Sequence, residues 1–314
     1  MKGIKTIAVI GAGPVGCVLT AHITDKHVVL LCDLNTSILD AACNGIIVMN
    51  KDGEIEFQRY PNHTFAHIAD MASDDPDIVF IATKANANKS VADELAKIHR
   101  NGRVYVCWQN GIDTEHVFAD VLGRENVMRA VVNYGCGFEA PAVVQMAFHH
   151  PPHYIQEMDH GSRDKTDAIA KMLVECDLQT EWTGSIREIV WHKAIMNSAM
   201  NPVCALTGMT MAQVMGKPHT RALVDGLVRE CIKIAHANSI DLGTSCHANA
   251  MEYMGRAGPH KPSMLLDIEA NRQTEIDYLN GMFVEHAHDC SVEAPLNQTM
   301  FALIKGLEST RLTR

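Results

Sequence analysis

Apolar positions change their spacing part-way along the chain. In the first half they fall in short, almost unbroken runs. KTIAVI (5–10), HVVLLCD ending at Asp33, DIVFIATKA (77–85) and RVYVCWQNG (103–111) read as buried strands of an open parallel sheet. IIVMN (46–50) and EIEFQ (54–58) flank Lys51-Asp52-Gly53, and Asp-Gly between two apolar runs is a hairpin signal. VMRAVVNYGCGF (127–138) and HYIQEM (153–158) complete the sheet. From about residue 186 the strand pattern fades and helical spacing takes over, over 186–200, 210–237, 245–256, 263–288 and 296–309. The break falls near Trp182-Thr183-Gly184-Ser185.

The first strand runs into GAGPVG, with Gly11, Gly13 and Gly16, and CVLTAHIT follows at helical period. Strand, glycine turn and helix together make a dinucleotide-binding signal: the glycines permit a tight turn, close approach of a pyrophosphate and close packing of helix on sheet. The opened helix offers free N–H groups to phosphate, and Pro14 suits a first turn, where its missing N–H costs little. Gly11, Ala12, Gly13, Pro14, Val15 and Gly16 are therefore candidate cofactor contacts. Asp33 closes the second strand 22 residues after Gly11, where a carboxylate can bind adenosine ribose hydroxyls. It would repel a 2′-phosphate, and no arginine occurs from 33 to 57, so NAD(H) is favoured over NADP(H). Two simpler readings stay open: Asp33 caps a turn, or Lys51 reaches the phosphate. Lys84 and Asn110 close two further strands, on the edge where open sheets bind ligands. A solvated loop lysine and a turn asparagine explain them equally well.

The expected fold is thus α/β, with a Rossmann-like dinucleotide-binding domain over 1–185 and a mostly α-helical C-terminal domain over 186–314. A cleft between them is the expected substrate site. Composition narrows the rest. The chain has 314 residues, long for one core, and 47% are hydrophobic. A net charge of −10 argues against nucleic acid or an anionic membrane as partner. Ten scattered cysteines without a C-x-x-C pair, no signal-peptide pattern and no run of about 18 apolar residues predict a reduced, cytoplasmic, soluble protein.

WHKAIMNSAMNP (191–202) is apolar except for His192, Ser198 and a row of Lys193, Asn197 and Asn201. Residues four apart on a helix are offset by only about 40°, so these three share one stripe, and Pro202 is expected to end or kink the helix beside it. Burying an unpaired amide costs ~1–3 kcal/mol, so the stripe must face water, a partner or a ligand. A solvated face would normally carry Glu, Lys and Arg, which favours a wet, ligand-lined cleft. In KPSMLLDIEANRQTEIDYLNG (261–281), Ser263 can cap a helix beginning at Met264. Asp267, Asn271 and Glu275 again step by four, with Arg272 and Asp277 free to pair with surface charges.

GAGPVG, Lys84 in ATKA, Gln109-Asn110-Gly111, K-x-x-x-N-x-x-x-N-P at 193–202 and PSMLLDIEANRQTEIDYLNG together resemble the ketopantoate reductases, in order and over nearly the whole chain. The resemblance implies reduction of a branched 2-oxo acid, 2-dehydropantoate, to the D-2-hydroxy acid by a nicotinamide cofactor. It implies Lys193 as general acid on the ketone and Glu275 as support of the active site. It further implies Asn197, Asn201 and Ser263 as ligands of substrate hydroxyl and carboxylate groups. Asn110 would lie where cofactor and substrate meet, and Lys84 near the cofactor. Two departures stand out. Relatives that use NADPH usually carry an arginine where this chain has Cys32-Asp33-Leu34. Some also place an asparagine after the Asn-Pro pair, where LTGMTM (206–211) offers only Thr207 and Thr210. These point to NADH, and to NAD-dependent enzymes of the D-mandelate dehydrogenase type as an alternative. A regulator that binds NAD(H) without chemistry is a second alternative, and retained Lys193 and Glu275 argue against it. A small-molecule 2-oxo acid is the expected partner, with a homodimer through the helical domain as a further expectation. His149, His150 and His153, like His286, His288 and Cys290, lack metal-site spacing, and no metal is expected. Met196, Met200, Met209, Met211 and Met215 are expected to fill an irregular core.

Overall fold

The computed structural model describes residues 4–312. The chain divides into two units, residues 1–186 and 187–314.

Among the described residues the first unit carries twelve strands: β1 (Thr6–Ile10), β2 (Val28–Cys32), β3 (Ile46–Met49), β4 (Ile55–Arg59), β5 (His63–Phe65), β6 (Ile78–Ile81), β7 (Val104–Cys107), β8 (Val127–Val131), β9 (Tyr134–Ala140), β10 (Val143–His149), β11 (His153–Glu157) and β12 (Thr180–Trp182). Its helices are α1 (Pro14–Ile23), α2 (Thr36–Cys43), α3 (Asn88–Lys97), α4 (His116–Leu122) and α5 (Arg163–Glu175). Eight strands form the main sheet in the order β12-β11-β8-β7-β6-β1-β2-β5. From β5 to β8 all neighbours are parallel, and only β11 runs against β8. That is the doubly wound dinucleotide-binding order with two strands added at one edge.

The unbroken apolar runs are explained by burial on both faces. Ile7, Val9, Val29, Leu31, Phe80 and Val106 point to one side, onto Val18 and Ala21 of α1 and Ile169 and Leu173 of α5. Ala8, Ile10, Leu30, Val79, Ile81 and Tyr105 point to the other, onto Ala92 and Leu95 of α3 and Phe118 and Leu122 of α4. The chain leaves β1 toward β2 on one side and reaches β6 on the other, so the switch point of the sheet lies between the carboxyl ends of β1 and β6.

The hairpin at Lys51-Asp52-Gly53 forms, but β3 and β4 do not extend the main sheet. They join β10 and β9 in a second sheet, ordered β4-β3-β10-β9, packed on the α1 side. The apolar run 127–138 is likewise two strands, β8 in the main sheet and β9 in the second.

The second unit is helical: α6 (Ile186–Thr207), α7 (Met211–Gly216), α8 (Pro218–Ala237), α9 (Cys246–Gly255), α10 (Ser263–Glu269), α11 (Asn280–Asp289) and α12 (Pro295–Arg311). Three sequence-based boundaries are corrected. α6 does not stop at Asn201 but continues through Pro202. The stretch 210–237 is broken at Lys217, because Pro218 opens a new helix. The stretch 263–288 is α10, a 3₁₀ turn at Ile276–Tyr278, and α11. α10 ends because Asn271 takes a left-handed φ of 51°, with its amide bonded to the Ile268 carbonyl at 3.2 Å and the Arg272 amide to the Asp267 carbonyl at 2.8 Å. This is a Schellman stop with asparagine in the glycine position. Of the methionines expected in the core, Met200 and Met215 are buried, whereas Met196, Met209 and Met211 are half-exposed.

Candidate active site

Two sets of residues carry the candidate chemistry, one on each unit. On the first unit the glycine turn sits at the switch point. Gly11 has a φ of 104°, and a Cβ there would lie 2.7 Å from the Thr83 amide nitrogen, beyond β6. At Gly16 a Cβ would come within 1.8 Å of the Gly11 carbonyl oxygen. These two glycines are demanded by backbone packed on backbone. Gly13 differs: a Cβ there would meet nothing within 4 Å. Packing does not require this glycine, and the space beside it is open. Gly13 also precedes α1, whose N1 residue is Pro14 and whose first turn leaves N–H groups free.

Asp33 reaches into the same turn. One carboxylate oxygen accepts from the Ala12 amide at 2.6 Å, the other from the Asn35 amide at 2.8 Å. Asp33 therefore braces the glycine turn and closes an Asx turn before α2. Lys51 pairs with Asp52 at 3.0 Å in the exposed hairpin.

Lys84 lies half-buried just after β6, at the start of the short turn into α3, and Asn110 lies half-buried just after β7. Gln109, singled out only as a neighbour of Asn110, ties these loops together. Its Nε2 donates to the Thr83 carbonyl at 2.7 Å and to Asn88 Oδ1 at 2.7 Å, while Asn88 Nδ2 donates to the Thr114 carbonyl at 3.0 Å. Gln109 is 6% exposed, so these bonds are shielded from water. Beneath the turn, Trp108 Nε1 donates to the Tyr134 hydroxyl at 3.1 Å, which donates to the Val15 carbonyl at 3.0 Å. Burial of Tyr134 pushes its phenol well above its ordinary range, so it stays a neutral donor.

On the second unit, Lys193, Asn197 and Asn201 lie within the unbroken α6 and keep their common stripe. Lys193 and Asn197 are half-buried and Asn201 is buried. His192, beside Lys193, has its imidazole pKa lowered by burial and is neutral near pH 7. The stripe of Asp267, Asn271 and Glu275 does not form, because α10 ends at Glu269. Asp267 is 2% exposed and pairs with Arg272 at 3.1 Å, and Asp277 pairs with Lys305 at 2.9 Å. Ser263 is not the cap of α10 either: Pro262 holds that position, and Ser263 is the exposed first residue of the helix.

Glu275, 7% exposed, opens the 3₁₀ turn, and its carbonyl accepts from the Tyr278 amide at 3.0 Å. Thr274, the residue before it, is held by a residue with no signal in the sequence. Glu308 of α12, itself buried, accepts from both the amide and the hydroxyl of Thr274 at 2.7 Å. Thr207 and Thr210 are committed to helix ends. Thr207 Oγ1 donates to the Val203 carbonyl at 2.6 Å, and Thr210 forms a capping box with Gln213. Among the described residues no helix is long and apolar enough to cross a membrane.

Carried on a doubly wound sheet with a glycine turn and a following helical unit, the chain is, by its matches to known proteins, an NAD(P)-dependent oxidoreductase acting on a CH–OH group. Residues 7–160 match the family described as Ketopantoate reductase PanE/ApbA, and residues 185–308 its C-terminal domain. The chain belongs to the ketopantoate reductase family. A 2-dehydropantoate 2-reductase of Archaeoglobus fulgidus is 25% identical over 236 residues, covering 75% of this chain and 78% of the relative. Among solved structures, a D-mandelate dehydrogenase with NADH and anilino(oxo)acetate superposes with a TM-score of 0.87 at 22% identity, covering 97% of this chain and 98% of the other. A dimeric ketopantoate reductase from Staphylococcus aureus superposes with a TM-score of 0.79 at 18% identity, covering 98% and 99%.

Proposed function

We propose that the protein reduces a C3-branched 2-oxo acid, 2-dehydropantoate, to the D-2-hydroxy acid, with NAD(H) as the cofactor. The observation that carries this reading is the Lys193–Asn197–Asn201 row on one face of an otherwise apolar helix, in a member of this family. Gly11 to Gly16, Asp33, Lys84 and Asn110 hold the cofactor. A bound nicotinamide supplies the hydride that reduces the ketone carbon. The Lys193 ammonium donates its proton to the carbonyl oxygen as negative charge builds there, and regains one from water. Asn197, Asn201 and Ser263 hold the substrate's hydroxyl and carboxylate by hydrogen bonds that add no charge. Glu275, fixed through Thr274 and Glu308, supports the lysine. The ten free cysteines accord with a reducing cytoplasm. The Staphylococcus aureus relative is a dimer, and a homodimer here is checked by light scattering.

Initial rates with 2-dehydropantoate, taken separately with NADH and NADPH, test the reading. Turnover that falls by a factor of at least ~10² in Lys193→Ala, with NADH affinity kept, is the expected result. Turnover surviving nearly intact would end the general-acid role.

A second reading has its own support. The D-mandelate dehydrogenase neighbour binds NADH, Asp33 is acidic, and both hydroxyls at 206–211 are committed locally. Faster turnover of bulkier or aromatic C3-branched 2-oxo acids than of 2-dehydropantoate would favour it.

A further inference from the structure

Pro202 lies inside α6, next to Asn201, and has no amide hydrogen. In a regular helix the amide of residue 202 would donate to the carbonyl of Ser198, so that carbonyl loses its intrahelical partner, and the proline ring presses against it. Such a carbonyl, fully buried, must find another donor or the helix must bend toward one. Here the donor comes from 82 positions further along the chain: Asn280 Nδ2 lies 3.0 Å from the Ser198 oxygen. Asn280 is 0% exposed, and the same Nδ2 also donates to Asn297 Oδ1 at 2.9 Å. Asn297, again 0% exposed, is held in turn by Glu230, whose carboxylate accepts from the Asn297 amide at 2.8 Å and from its Nδ2 at 2.9 Å. A chain of buried polar groups thus runs from Glu230 of α8 through Asn297 of α12 and Asn280 of α11 to the backbone of α6.

The point of attachment is the functional row. Ser198 follows Asn197, and Pro202 follows Asn201. We infer that Asn280 is a positioning residue for the reaction: by replacing the hydrogen bond that Pro202 removes, it keeps α6 straight across the row, so that Lys193, Asn197 and Asn201 act on one substrate. The inference rests on the reading of that row as the substrate site. It adds that the proline-bearing helix α6 and the start of α11, where Asn280 sits, work as one device.

The test is a double-mutant cycle between Asn280 and Pro202. Asn280→Leu removes the donor while keeping the branching and heavy-atom count of the side chain. Pro202→Ala restores an amide hydrogen that can reach the Ser198 carbonyl within the helix. The cycle is read by kcat and KM for 2-dehydropantoate, by the dissociation constant for NADH and by thermal melting. The expected result for N280L is a fall of at least tenfold in kcat/KM for the oxo acid, with NADH affinity changed less than twofold. N280L/P202A should recover at least half of that loss on a logarithmic scale. Should N280L not fold, the pair Asn280→Ala and N280A/P202A decides by the same measurements, and folding restored only by P202A counts for the inference. Equal impairment with and without P202A overturns it, as does an equal loss of NADH affinity. The two readings fail separately. If the α6 row does not serve the substrate, Lys193→Ala keeps its turnover whatever happens at Asn280. If only the present inference is wrong, Lys193→Ala is inactive and P202A gives no rescue.

Discussion

Asp33 and Ala12 are joined by a 2.6 Å hydrogen bond from the Ala12 amide to the Asp33 carboxylate, which links the end of β2 to the glycine turn after β1. One side chain therefore has two separable properties. Its oxygen braces the turn, and on the proposed reading its charge repels a phosphate on the adenosine ribose. Asp33→Asn keeps an acceptor for the Ala12 amide and removes the charge. In this variant kcat/KM for NADPH relative to NADH should rise by roughly tenfold, the equivalent of ~1.4 kcal/mol of relieved repulsion. Asp33→Ala removes the brace as well, so KM should rise for both cofactors. An unchanged preference in Asp33→Asn would show that the carboxylate does not select the cofactor.

The glycine turn makes a sharper contrast. A Cβ at Gly16 would lie 1.8 Å from the Gly11 carbonyl oxygen, which belongs to backbone and cannot rotate away, whereas at Gly13 it would meet nothing within 4 Å. Gly16→Ala should lower stability by at least ~1–3 kcal/mol, as overpacking does, with cofactor binding lost alongside. Gly13→Ala should melt within a degree or two of the parent. It should still bind NADH at least tenfold more weakly, because on the proposed reading the added methyl fills the space that the pyrophosphate takes. Melting curves and fluorescence titration with NADH separate the two cases.

What the sequence made legible is local, and what it hid is long-range. The glycine turn, the Asp33 strand end and the lysine–asparagine row are each set by residues within a few positions, so periodicity and spacing find them. Pro202 was expected to end or kink its helix, because on local grounds it should. The helix survives through a donor at Asn280, which no window around residue 202 contains. The stretch 263–288 kept helical spacing, yet Asn271 entered the left-handed region and broke it, without the glycine that usually announces such a stop. Ser263 and the Asp267–Asn271–Glu275 stripe were misread for the same reason, since both readings assumed a helix whose ends lay elsewhere. Glu308 gave no signal at all, being one carboxylate in the last helix until the fold brings it to Thr274.

Gln109 provides the next test. Its Nε2 is shared between the Thr83 carbonyl and Asn88 Oδ1, so it fixes the loop before Lys84 and lies next to Asn110. Gln109→Leu leaves the half-buried Thr83 carbonyl and the buried Asn88 amide oxygen without that donor, which costs ~1–3 kcal/mol for a buried group left unsatisfied. Thermal melting should register the loss. Because the proposed function gives the β6 and β7 loops to the cofactor, KM for NADH should rise several-fold while KM for the oxo acid moves less. A rise confined to the oxo acid would assign these loops to the substrate instead.

Acid sensitivity should come from histidines before carboxylates. His22 is half-buried, with its Nδ1 3.1 Å from the Cys176 carbonyl and its ring edge-on to Phe57, and burial lowers its pKa below the ordinary 6.5. His192 and His260 are lowered by burial as well. A folded pKa below the unfolded one means that the unfolded chain binds more protons, so stability rises with pH. The contribution is complete above the unfolded value of 6.5 and is lost as pH falls through that value toward the folded pKa. The melting temperature should therefore hold steady above about pH 7.5 and fall by roughly 2–6 °C on going to about pH 5.5. His22→Asn keeps a donor for the Cys176 carbonyl but does not titrate, and His192→Asn likewise removes an imidazole from α6. The double variant should show a visibly flatter dependence over that interval. An unchanged slope would place the acid-labile groups elsewhere in the chain.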